Sequence, residues 1–214
     1  MVKIMEFYMK VTLHHHTPLV VCATAIRTCW QSFDKSDDGG EKDRELIDRV
    51  GNKFKHASTL EHLVYTFYLE GISRALLQEL ARHRMASLSV KSTRYTLKEL
   101  KSEEEFTLKD TERAAKYLVY TGVEMVDEMS IKALENLRLV LKSGIANDKA
   151  KFCLPESYKT ELTWTVNARS LQNFIGLRSD KSALWEIQDL ANMVYNTIPQ
   201  DHQYLFNDYI KKYD

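Results

Sequence analysis

The stretch that most constrains this chain runs from Arg82 to Thr96, RHRMASLSVKSTRYT. It carries the cations Arg82, Arg84, Lys91 and Arg94, the imidazole of His83 and the hydroxyls of Ser87, Ser89, Ser92 and Thr93, without one carboxylate. The residues before it, SRALLQELA from Ser73 to Ala81, read as a helix: Ser73 is a suitable N-cap, and Leu76, Leu77 and Leu80 form an apolar stripe. Past Arg84 the helical pattern stops, and serines at 87, 89 and 92 suit a loop whose backbone and hydroxyls can approach a ligand. A helix therefore delivers cationic and titratable side chains into a hydroxyl-rich loop. Planar guanidinium forks bind phosphate oxygens in pairs, so the stretch suits a phosphate or pyrophosphate. A basic cluster at a helix C-terminus also complements the helix dipole with no ligand at all, and composition alone does not separate the two readings.

The bulk properties narrow the field. At 214 residues and 44% hydrophobic, the chain can bury one sizeable core and suggests a single domain over 1–214. Its 30 basic and 30 acidic residues cancel, which argues against long-range attraction to nucleic acid or to an anionic membrane. The basic stretch is then a local site. Cys22, Cys29 and Cys153 are too few, and odd in number, for a disulfide framework. Cys22 and Cys29 lie seven apart on one helical face, where small buried thiols are common. No apolar run approaches 18 residues, and MVKIMEFYMK has no signal-peptide core, so a reduced, cytoplasmic, soluble protein is expected.

In chain order, residues 3–13 put Met5, Phe7, Met9, Val11 and Leu13 on one face of an expected strand. His14–His16 follow; adjacent histidines cannot all face one metal, and no metal site is expected there. Thr17-Pro18 opens a helix to about Trp30, SDDGG is a turn, and 41–55 reads as an amphipathic helix. VYTFYLE (Val64–Glu70) and YKTELTWTVN (Tyr158–Asn167) alternate as strands do. Between them, about 110–142 gives the longest helical pattern, with a bend at Thr121-Gly122 and an apolar face of Leu118, Met125, Met129, Leu134, Leu137 and Leu141 that suits either the core or a subunit interface. Asn147-Asp148 caps a short helix containing Lys151. ARSLQNFIGLR is helical and sets Asn173 four residues after Arg169, neighbours on the helix surface. Helices over about 181–198 and 199–212 complete the chain. The expected class is α/β (α+β), a single domain with a mainly antiparallel twisted sheet flanked by helices. It is not a Rossmann fold: there is no G-x-G-x-x-G, and glycines number only seven.

Arg82-His83-Arg84, seven residues, Ser92 and then Arg94 resemble the signature of the flavin-dependent thymidylate synthases. FKHASTLEHLVYTF (Phe54–Phe67) resembles the family segment in which a His and a downstream Ser or Thr precede Glu-His and a strand. WTVNARSLQNFIGLR (Trp164–Arg178) resembles its C-terminal motif. All three occur in the family's order. The resemblance implies FAD contacts from Ser58, Arg82, His83, Arg84, Asn167, Arg169, Asn173 and His56, those of His56 and Ser58 coming from a neighbouring subunit. It implies dUMP contacts from Glu79, Arg82, Lys91, Ser92, Arg94, Lys151 and Arg178, with Arg178 the residue that polarises the uracil. It further implies NADPH and methylenetetrahydrofolate as co-substrates, and a homotetramer with sites at its interfaces. Held without a glycine fingerprint, FAD would rest on side chains.

The residues themselves agree with a route that needs no enzyme nucleophile. Cys22 and Cys29 sit in an apolar helix without a fixed base, Cys153 lies outside the three motif blocks, and Ser92 has no paired base in the sequence. Three positions depart from the family. Lys151 stands where many relatives have Arg and offers a point charge instead of a fork. Glu79 stands where a Gln is usual, and Val90 where a Glu is usual. A rival reading of another class is a small non-catalytic nucleotide- or RNA-binding protein that uses the Arg-His-Arg patch.

Overall fold

In the computed structural model, which describes residues 9–211, the two segments that alternate in sequence become the central pair of a four-stranded sheet. They are β2, Val64–Ser73, and β4, Lys159–Asn167; β1, Lys10–His16, and β3, Ala86–Val90, take the edges, in the order β1-β2-β4-β3. Every pairing is antiparallel. Thr17, just past β1, donates its N–H to Val64 O at the start of β2. Ala168, just past β4, donates to Leu63 O, while Arg74 at the far end of β2 donates to Tyr158 O. Lys91, just past β3, donates to Glu161 O. The alternation has its expected cause: Tyr65, Phe67 and Leu69 on β2 and Leu162, Trp164 and Val166 on β4 are buried, with half-exposed residues between them. Register is visible in Thr66 and Thr165, whose hydroxyls meet at 3.0 Å, and in Phe67 beside Trp164, 5.7 Å between rings.

The helices are α1, Leu19–Thr28; α2, Glu41–Ile47, which widens into a π turn over Asp48–Lys53; α3, Arg74–Leu80; α4, Thr93–Thr96; α5, Thr111–Ala114; α6, Glu124–Lys142; α7, Asn147–Ala150; α8, Ala168–Arg178; α9, Trp185–Thr197; and α10, Gln200–Gln203. A 3-10 turn spans Ala57–His62. Ser73 caps α3 as its sequence suggests, its hydroxyl accepting the Leu76 N–H at 2.9 Å.

Several expectations are corrected. The loop expected after Arg84 contains β3, an edge strand whose serines obscure its alternation in sequence. The long helix over 110–142 is broken, not bent: α5 ends at Ala114, and Gly122 (φ +77°) turns the chain before α6. Met125 and Met129 are exposed, because the buried stripe of α6 lies further along, at Ile131, Leu134, Leu137 and Leu141. Thr17 does not cap α1; its hydroxyl instead accepts the Val64 N–H at 3.1 Å. Cys22 is buried and Cys29 exposed, since α1 ends at Thr28 and the shared face ends with it. Of the first expected strand, residues 3–8 lie outside the described residues, as does Lys212 of the last expected helix.

The chain falls into two compact units. Among the described residues, the first comprises 9–10, Glu70–Glu79 and Ser89–Leu162, and the second Val11–Leu69, Leu80–Leu88 and 163–211. In the first, α6 buries its stripe on Leu97, Leu100, Phe106, Leu118 and Tyr158. In the second, Tyr65, Phe67, Trp164, Phe174 and Phe206 are fully buried. There a paired charge holds the SDDGG turn: Asp43 accepts from Arg27 at 2.6 Å, from the Ser36 hydroxyl at 2.6 Å and from the Gly39 N–H at 3.0 Å. Burial alone would raise the Asp43 pKa, but these hydrogen bonds from Ser36, Arg27 and Gly39 outweigh it and hold the carboxyl below its usual range.

Candidate functional site

In the second unit α3 runs out at Leu80, and the His83 N–H donates back to Leu80 O at 3.0 Å, closing the turn that carries Arg82, His83 and Arg84. Arg82 and Arg84 are exposed and His83 is half-buried. The His83 ring stands edge-on to Phe174 of α8, 5.1 Å between centroids. Its Nε2 accepts a hydrogen bond from Arg178 Nε, at the end of α8, at 2.9 Å. The Arg-His-Arg block and the C-terminal block, far apart in sequence, thus meet.

α8 starts at Asn167, whose side-chain oxygen accepts the Ser170 N–H at 2.9 Å. That oxygen is therefore engaged in an N-cap. Arg169 and Asn173 are exposed, four residues apart on the same helix. The Ala57–His62 turn, with exposed Ser58 next to exposed His56, packs against α8. It also supplies a residue the sequence reading passed over as a partner. Glu61 pairs with Arg169 at 2.8 Å, both largely exposed, and such a pair is worth at most about 1 kcal/mol, so an anion can displace it. The signal was present in the Glu-His of FKHASTLEH. All eight residues expected at FAD lie in this unit.

The first unit holds Glu79, Lys91, Ser92, Arg94 and Lys151; Arg82 and Arg178, the other expected dUMP contacts, belong to the second. Ser92 is exposed and precedes the single turn of α4, which carries Arg94. Arg94 O accepts from Asn147 Nδ2 at 2.8 Å, and α4 packs against α7, whose C-cap is Lys151. Ser92, Arg94 and Lys151 are thereby brought onto neighbouring short turns. The Arg94 guanidinium lies over the ring of its neighbour Tyr95, 5.5 Å to the centroid. Lys91 is paired with Glu161 of β4 at 3.1 Å, a second carboxylate the sequence reading did not single out. Nothing short of the strand register would have revealed it. Beside Lys91 and Thr93 a cavity of about 340 Å³ opens, lined also by Tyr117, Tyr158 and Thr160. Glu79 is half-buried on α3, and Val90 is exposed at the end of β3.

The thiols are placed unlike nucleophiles. Burial pushes the Cys22 thiol up to about 12, and its Sγ–H points at Thr59 O, 3.2 Å away. Cys29 and Cys153 are exposed. Among the described residues, no group of His, Cys, Asp and Glu could hold a metal ion, and no helix is long and apolar enough to cross a membrane. His14 stacks on Tyr68 at 5.6 Å, and His16 meets the buried His202 edge-on at 5.0 Å.

The residues expected at FAD fit such a group by their chemistry: three guanidinium groups for a diphosphate, two imidazoles, and carboxamides on one helix. A family model described as Thymidylate synthase complementing protein matches residues 10–202. A flavin-dependent thymidylate synthase of Wolinella succinogenes is 73% identical over 198 residues, 92% of this chain and 97% of its own. One from Helicobacter pylori is 58% identical over 207 residues, 95% of this chain and 100% of its own. A crystal structure of thymidylate synthase X from H. pylori with FAD and dUMP superposes with a TM-score of 0.91 at 56% identity, covering 96% of this chain and 100% of that one. With the family model spanning nearly the whole described chain and relatives this similar over more than nine-tenths of it, the chain belongs to the flavin-dependent thymidylate synthase family.

Proposed function

We propose that this protein is a flavin-dependent thymidylate synthase acting as one domain over residues 1–214. It would convert dUMP to dTMP with methylenetetrahydrofolate as carbon donor, FAD as the bound cofactor and NADPH as reductant. The observation that carries the reading is the 2.9 Å contact between His83 of the signature and Arg178 of the C-terminal motif, which joins the two blocks the chemistry requires. Ser58, Arg82, His83, Arg84, Asn167, Arg169 and Asn173, with His56, hold FAD. Lys91, Ser92, Arg94 and Lys151, with Glu79 and Arg82, hold dUMP.

Reduced FAD supplies the hydride when bound. The protein's own task is to bind, orient and polarise. Arg178 stabilises negative charge on the uracil ring so that C5 becomes nucleophilic, a kind of preorganised help worth roughly 3–4 kcal/mol. No enzyme thiol attacks, in keeping with the raised pKa of Cys22. Lys91 leaves Glu161 for the phosphate at modest cost, because a partly exposed pair is worth about 1 kcal/mol. Glu79 accepts from a uracil or ribose donor but cannot donate unless protonated. The working form is a homotetramer in the cytoplasm, with His56 and Ser58 completing a neighbour's FAD site. The relatives reported above lend no support to a non-catalytic nucleotide- or RNA-binding protein.

Purified protein should be yellow, with flavin absorbance, and should form dTMP only with NADPH and methylenetetrahydrofolate together. Full activity after complete removal of flavin would overturn the reading.

A further inference from the structure

The contact between His83 and Arg178 has a chemical direction. Arg178 Nε–H can only donate, so His83 Nε2, at 2.9 Å, must accept. An accepting imidazole nitrogen carries no proton; the ring is neutral, with its hydrogen on Nδ1. That ring is also packed against α8. Phe174 meets it edge-on at 5.1 Å, and Phe174, fully buried, meets the fully buried Trp164 at 4.9 Å. Its backbone is tied as well, through the His83 N–H to Leu80 O.

An arginine side chain has several soft torsions, and Arg178 is only half-buried. Tying its Nε–H to a ring packed on Phe174 restrains the guanidinium plane, and bidentate contact with a uracil edge then falls to the Nη groups. We infer that His83 is a positioning residue for Arg178, the acceptor that orients the guanidinium used on the uracil. This rests on the proposed role of Arg178. It adds to His83 a function separate from flavin contact: one ring nitrogen serves the arginine whatever the rest of the ring serves.

The test uses His83→Phe, which keeps a ring against Phe174 but has no acceptor, and His83→Gln, whose carbonyl oxygen can accept near the position of Nε2. FAD content, NADPH oxidation, and kcat and KM for dTMP formation per bound flavin are measured for both, for Arg178→Ala and for His83→Phe with Arg178→Ala. Expected is a kcat loss of about 10- to 100-fold in His83→Phe per bound flavin, the span of one hydrogen bond to a charged group. His83→Gln should recover most of the loss, and the double variant should be no worse than Arg178→Ala alone, since an orienting group has nothing left to orient. If His83→Phe keeps its turnover per flavin, if Gln rescues no better than Phe, or if the two losses multiply, His83 does not position Arg178. If His83→Phe does not fold, the Gln variant decides: a kcat loss as large as that of Arg178→Ala overturns the proposal. Unimpaired dTMP formation in Arg178→Ala would instead overturn the role of Arg178, a separate outcome.

Discussion

The two units carry their site residues in different ways. In the second, the side chains proposed at the flavin and at the uracil rise from a braced base: Phe67, Trp164, Phe174 and His83 follow one another at 5.7, 4.9 and 5.1 Å, and Arg178 is tied to the last. Each ring pair adds roughly 0.5–1.5 kcal/mol beyond its burial. In the first, Ser92, Arg94 and Lys151 sit on or beside four-residue helices, too short to be stable by their own hydrogen bonds, and Lys91 is held by a partly exposed ion pair. The physics of the two tasks differs. A group that must stabilise charge as it develops gains only if it is already in place, whereas a phosphate that arrives fully charged can draw flexible cations to itself.

The sharpest way to break that comparison is Arg178→Ala. We expect dTMP formation to fall by about 100-fold or more, the scale of one lost electrostatic donor, with FAD content and NADPH oxidation near normal. Arg178→Lys should rescue poorly, because an ammonium cannot bridge two ring atoms. Flavin loss with intact turnover per bound FAD would make Arg178 a cofactor ligand and erase the contrast.

A smaller effect is expected in the first unit. Arg94→Ala and Lys151→Ala should each raise KM for dUMP about 10-fold with kcat little changed, since each removes one charge-assisted hydrogen bond to an anion that is equally charged before and during reaction. A fall in kcat with unchanged KM would place these cations at the reacting ring. Lys151→Arg should lower KM by a few-fold if the missing fork is what the family's usual residue contributes.

A third difference lies in stability. His202, buried with its Nδ1 at 2.7 Å from the Tyr65 hydroxyl, has its pKa lowered by burial from 6.5 to about 4. Between those values the unfolded chain takes up a proton that the folded one refuses, so His202 subtracts stability as pH falls below about 6.5, with the loss complete near 4. The drop in urea midpoint from pH 7 to pH 5 should therefore be smaller in His202→Gln than in the parent. An unchanged drop would show that His202 charges in place.

The smallest effects belong to the thiols. Cys29→Ser and Cys153→Ser, both exposed, should leave stability within about 0.5 kcal/mol and catalysis intact. Cys22→Ser should cost stability alone, because a hydroxyl is buried where a weakly polar thiol was. A covalent adduct of dUMP on any of the three, seen by mass spectrometry, would overturn the route without a nucleophile.

Much of this was legible in the chain itself. The alternation of 64–70 and 158–167 marks the two central strands because each presents one apolar face to a core. Ser73 and the stripe ending at Leu80 mark α3, and Arg82-His83-Arg84 must follow wherever that helix stops. Sequence also determined the family, since fixed residue types at fixed spacings in three ordered blocks leave little room for chance. What only the tertiary structure decided are the relations between segments. β3 is a strand because β4 lies beside it, not because its serines favour one. Met125 and Met129 look like core or subunit-interface residues and lie outside this chain's own core, because which stretch of an amphipathic helix is covered depends on what packs there. Glu61 on Arg169, Glu161 on Lys91 and His83 on Arg178 join residues separated by 108, 70 and 95 positions. Local periodicity reports the face a residue occupies; it carries no information about which distant residue will meet that face, because that is set by strand register and by helix packing over the whole chain.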